Sequence, residues 1–148
     1  MCAAGIANAF APSRADMIRT QTHAPTADDL ERLARGVLAR LPGAFARHLD
    51  DVVLVVDEFA ADDVLAELGI EDAFELTGLY TGRPLGEKSS SDVVGLPDMI
   101  HLYRQPLLAE WIETDVALEA LIAHVVIHEV GHHFGLSDAD MHALEDDA

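Results

Sequence analysis

The sequence predicts an α+β fold in a single domain. Three observations lead there. Stretches with apolar residues at three- and four-residue steps, which mark core-facing helices, alternate with short apolar runs of strand length. Half of the 148 residues are hydrophobic, enough for a buried core. The length is that of one domain, and no internal repeat divides it.

Taken in order, residues 1–26 mix Ala, Pro, Ser and Thr with no helical or strand period and read as a disordered arm; the domain is expected over 27–148. Thr26 caps a helix whose first turn carries Asp28 and Asp29, which suit its positive end. Leu30, Leu33, Ala34, Val37, Leu38 and Leu41 form its apolar stripe, and Pro42-Gly43 ends it. A short turn of helix is expected between Ala44 and Leu49. The β-branched run from Val52 to Val56 reads as a strand buried on both faces. Asp62 or Asp63 opens a short helix through Leu68, which Gly69 closes. A second strand is expected from Leu76 to Thr81, broken by Gly78 and stopped by Gly82-Arg83-Pro84. Gly86 to Gly95 is a polar surface loop. Ile100 to Tyr103 is a third strand, with His101 and Tyr103 on one face. Pro106 suits the first turn of a helix to Ile112 that buries Leu107, Leu108 and Trp111. Thr114 or Asp115 caps a last long helix, with Leu118, Leu121, Ile122, Val125 and Val126 towards the core and an end near Phe134.

The formal net charge is −18 and the pI about 4.4. Such a surface repels phosphate backbones and anionic lipid, so neither nucleic acid nor a membrane is an expected partner. Cationic peptides suit it better. The single cysteine, Cys2, permits no intrachain disulfide, and no run of about 18 apolar residues is present, so a cytoplasmic protein is expected.

The chemistry is concentrated in His128-Glu129-Val130-Gly131-His132-His133-Phe134-Gly135-Leu136-Ser137-Asp138. On a helix, His128 and His132 lie one turn apart on one face, where two imidazoles can hold one metal ion at about 2.0–2.1 Å each. Glu129, one step round the helix, sits beside the ion, where it can take a proton from water that the metal activates. Gly135 permits a left-handed exit, after which Asp138 can swing in as third ligand. Two histidines and a carboxylate leave a fourth position open, as catalytic zinc sites do. His142, four residues beyond Asp138, is the rival third ligand. His124 lies on roughly the same face but, with His128 and His132, climbs about 12 Å of helix, too far for all three to share an ion. His133 is turned away from that face.

His128-Glu129-x-x-His132-x-x-Gly135-x-x-Asp138 resembles the extended motif of zincin metallopeptidases. From about Asp28 to Leu144 the chain resembles a family of small bacterial minimal zincins, the neutral zinc metallopeptidase-like family. Further matching stretches are Gly78-Leu79-Tyr80-x-Gly82-x-Pro84-Leu85 and Leu96-Pro97-Asp98-x-Ile100-x-Leu102-Tyr103-Arg104-x-Pro106-Leu107. Met99 stands where that family often has a basic residue. The resemblance implies a compact α+β zincin core: a small mixed β-sheet packed against helices that include the one bearing His128 and His132. It also implies one zinc ion per chain and a peptide or unfolded protein as substrate. Zincins commonly bind substrate as an added strand along a sheet edge, which makes the 100–103 strand, with His101 and Tyr103, the expected substrate contact. Tyr103 or Tyr80 could donate to the oxyanion, but the leading reading of each is a packing residue.

Zinc peptidase is therefore the leading expectation. A metal-dependent hydrolase of another class and a metal-binding protein without turnover are the alternatives; the charge speaks against an RNA substrate, and Glu129 against a site that needs no base.

Overall fold

The computed structural model describes residues 23–82 and 97–147. The expected arm and polar loop fall largely or wholly outside these residues. Among the described residues six helices surround one three-stranded mixed sheet.

Helix α1 spans Ala27–Arg40. Thr26 caps it as the sequence predicts, in a reciprocal arrangement: the Asp29 N–H donates to Thr26 Oγ1 at 3.2 Å, and the Thr26 N–H donates to Asp29 Oδ2 at 2.9 Å. Those bonds, the backbone one first and then Arg32, pull the Asp29 carboxyl down to about 2. Leu30, Ala34 and Val37 are buried, and the helix packs on the metal-motif helix and on strand β1. A single short turn, α2, follows at Gly43–Ala46.

Strand β1, Val53–Asp57, lies where expected, but it is not buried on both faces. The sheet order is β1-β3-β2, so β1 is an edge strand; Leu54 is buried while Val53 is 41% exposed. A uniformly apolar run does not by itself distinguish an edge from a centre. Helix α3, Asp62–Leu68, ends at Gly69 with φ 69°, a left-handed closure that glycine takes without strain.

Strand β2 runs Gly78–Thr81 and strand β3 Met99–Tyr103. β3 is the middle strand, parallel to β1 (Leu54 opposite Ile100) and antiparallel to β2 (Tyr80 opposite Ile100). Gly78 does not break β2. It opens it, and it does so because the motif helix crosses directly above: a β-carbon there would lie 2.7 Å from Val125 Cγ1.

Helix α4, Arg104–Glu113, carries Pro106 in its first turn and buries Leu107 and Leu108, while Trp111 is only partly covered. Helix α5, Leu118–Phe134, starts later than the sequence suggests. Thr114 does not open it. Its N–H and its Oγ1 both donate to Glu110 O, at 2.9 and 2.8 Å, so this residue closes α4 instead. Ile122, Val126, Ile127 and Val130 of α5 are fully buried between α1 and the sheet; truncating one of the isoleucines to Ala would cost about 2–5 kcal/mol. Helix α6, Asp138–Asp147, returns along α5. Met141 occupies the space a side chain on Gly131 would need, so the glycine is what lets α6 lie against the motif. No helix among the described residues is long and apolar enough to cross a membrane.

Candidate metal centre

The last turns of α5 present two adjacent stripes. One faces outward: His128 and His132, whose rings lie 5.2 Å apart at 68°. The other faces β2: Glu129, 7% exposed, and His133, 1% exposed, one turn further on. The i, i+4 spacing of each pair places it on its own face of the helix.

Glu129 is the pivot. Its Oε2 accepts the Tyr80 N–H at 2.7 Å and lies 3.2 Å from His132 Nδ1. Among the described residues Oε1 takes no hydrogen bond, so one carboxylate oxygen is held and the other is available to a proton. With Nδ1–H given to Glu129, the Nε2 lone pair of His132 is left for a metal, the arrangement that metal-binding histidines commonly have. His132 therefore suits zinc, and the His128 ring lies beside it on the same face.

The third donor is another matter. Gly135 has φ 64°, the left-handed exit the sequence predicts, and Leu136 N–H returns to Gly131 O at 2.9 Å. Ser137 then caps α6: Asp140 N–H donates to Ser137 Oγ at 3.3 Å, and Ser137 Oγ–H donates to Asp140 Oδ2 at 2.7 Å. Asp138 follows as the first residue of α6, with its side chain exposed at the positive end of that helix. Among the described residues no three His, Cys, Asp or Glu side chains are gathered as a metal would need. His142, one helical turn beyond Asp138 on α6, is 73% exposed, with Nδ1 3.7 Å from Glu145 Oε2. Glu145 also takes His124, Nδ1 to Oε1 at 2.8 Å, and so ties α6 to α5. That role for Glu145 has no signature in the sequence, because it depends on how two helices pack.

His101 and Tyr103 share a face, with rings 6.2 Å apart and nearly parallel. Their strand is not an edge, however. Both sides of β3 are paired, so no substrate strand can add to it. His101 Nε2 lies 3.3 Å from Thr81 Oγ1, and its Nδ1 lies 3.7 Å from Asp57 Oδ2. Tyr103 is 3% exposed and packs with Ala60 and Leu65; burial, then the charges of Asp57 and Glu129, raise its phenol above the ordinary range. Among the described residues the strand beside α5 with an unpaired edge is β2, and its Tyr80 N–H is the one bound to Glu129.

Tyr80 carries more than that backbone bond. Its phenol lies 3.1 Å from Asp98 Oδ1 and 3.2 Å from His133 Nδ1. Burial, reinforced by the Asp98 charge and hydrogen bond, holds it protonated far above the usual phenol range.

A small hollow of about 180 Å³ opens over the centre, lined by Thr77, Glu110, His124, Val125, His128 and Glu129. A larger one of about 670 Å³ shares Thr77 and Glu110 with it and adds Asp72, Phe74, Glu75 and Glu113 to its walls. The larger hollow thus has acidic walls, with the exposed ring of Phe74 among them.

A family model described as zincin-like metallopeptidase matches residues 49–148, which include the whole sheet and the helices that bear the candidate centre. No curated protein matches the chain significantly.

Proposed function

The chain belongs to the zincin-like metallopeptidase family, and on that footing we propose that it hydrolyses peptide bonds with one zinc ion per chain. His128 and His132 would hold the ion, Asp138 would have to be drawn in as the third ligand when it binds, and Glu129 is the general base. The observation that carries this reading is the state of Glu129: a buried carboxylate beside the histidine pair, fastened through Oε2 and open at Oε1. When bound, zinc supplies a Lewis acid that polarises the scissile carbonyl and acidifies water. Glu129 takes the proton of the attacking water at Oε1 and returns it to the leaving amine. The bond to Tyr80 N–H holds the carboxylate in place through both transfers. Peptides or unfolded segments are the substrate class, and the acidic walls of the adjoining hollow favour cationic side chains in them.

The test is made on untagged protein reconstituted with zinc. One zinc per chain by elemental analysis and cleavage of labelled casein are expected. Glu129→Gln is expected to keep the zinc and to lose about 10²-fold or more in kcat, because an amide cannot take the proton. No zinc after reconstitution would refute the proposal. Zinc with no cleavage in the wild type would leave a metal-binding protein without turnover.

A further inference from the structure

Helix α5 grips one residue of β2 at both ends. Glu129 holds the backbone N–H of Tyr80 at 2.7 Å, and His133, one helical turn later, meets its phenol oxygen at 3.2 Å. The phenol in turn reaches Asp98, just before β3. The phenol O–H donates to Asp98 Oδ1, which leaves the phenol oxygen to accept from His133 in the tautomer that carries its proton on Nδ1. His133 and Tyr80 also meet edge-on, with ring centroids 5.5 Å apart. Gly82, at φ 152°, leaves the room for this: a β-carbon there would run into Asp98 Oδ1 and lie 2.8 Å from the phenol oxygen.

We propose that Tyr80 is a positioning residue for Glu129: its phenol, clasped between His133 and Asp98, keeps β2 in register with α5 so that the Tyr80 N–H stays on the Glu129 carboxylate. The need for such a clasp follows from β2 itself. It is four residues long, and on the side away from β3 its described contacts are with a helix, which offers no ladder of hydrogen bonds. A slide of one residue would turn the Tyr80 N–H away from α5. The part-buried phenol bonds, one of them made with a histidine 1% exposed, make that slide costly. His133, which sequence reasoning sets aside as turned from the histidine face, then serves the centre through the strand.

The inference rests on the proposed role of Glu129, so its test reads the contact as well as the reaction. Amide hydrogen exchange at residue 80 is followed by NMR in the zinc-free and zinc-loaded full chain, for wild type, Tyr80→Phe and His133→Leu. In a folded variant, protection at residue 80 is expected to fall about 10-fold or more while Leu102 and Ile127 keep theirs, and kcat on labelled casein is expected to fall with KM unchanged. Wild-type protection at residue 80, or a loss spread evenly over Leu102 and Ile127, would overturn the inference. So would failure of both variants to fold, which would make the phenol a prop of the whole domain. If wild-type protein does not cleave casein, the peptidase reading falls while the exchange measurement still decides the clasp.

Discussion

Gly78 and Val125 approach so closely that a β-carbon on the glycine would lie 2.7 Å from Val125 Cγ1, 3.3 Å from His101 O and 3.5 Å from Glu129 Cγ. The motif helix is therefore seated on bare backbone. Gly78→Ala is expected to lift α5 from β2, at a cost of about 1–3 kcal/mol for overpacking, and to lengthen the contact between Tyr80 N–H and Glu129. Thermal unfolding should show a lower midpoint, and peptide cleavage below that midpoint should also be slower. An unchanged midpoint would mean that the helix does not rest there.

Asp138 rather than His142 is expected to complete the zinc shell. Asp138 follows the left-handed exit at Gly135 by three residues, whereas His142 points to Glu145. A carboxylate also reduces the net charge of the site, which eases holding a dication beside buried apolar surface. Zinc titration of Asp138→Ala should show severe weakening. His142→Ala should cost at most about 10–100-fold, the range for groups that orient a ligand rather than bind the metal. The opposite ranking would replace the ligand.

The two tyrosines give a pH prediction. Burial raises both phenols above their ordinary value of 10.0. The folded state then holds protons that the unfolded chain releases near pH 10. Their contribution to stability is complete below that pH and is lost as the pH rises above it. Tyrosinate absorbance should stay flat through pH 10 while the circular dichroism remains native, then rise together with unfolding. Tyrosinate forming near pH 10 in folded protein would show at least one ring open to solvent.

Features set by neighbours in sequence were legible. Asp62 and Gly69 bracket α3 as expected, Thr26 caps α1, and Gly135 ends α5, because each is a local backbone preference. The pairing of His128 with His132 follows from helical periodicity alone. What escaped depends on distant parts of the chain. Whether β3 is a centre or an edge is decided by which strands find it, so the sheet-edge position expected for the strand of His101 and Tyr103 did not survive the observed order. Tyr80 and His133 are 53 residues apart, and no spacing rule joins them. Gly78 looked like a break because a glycine needed for close approach and a glycine ending a strand are the same letter.

The last strand in sequence being the middle one in space has a consequence for synthesis. Among the described residues β1 and β2 are not paired with each other; each pairs with β3. As the chain emerges from a ribosome, both strands lack their common partner until it has been made, and helix α5, which covers β2, follows later still. During that interval the nascent chain offers unpaired apolar strands to any neighbour, the condition under which strands join the wrong chain. Translation that stalls between residues 81 and 99 would therefore be expected to leave a product that binds chaperones or aggregates.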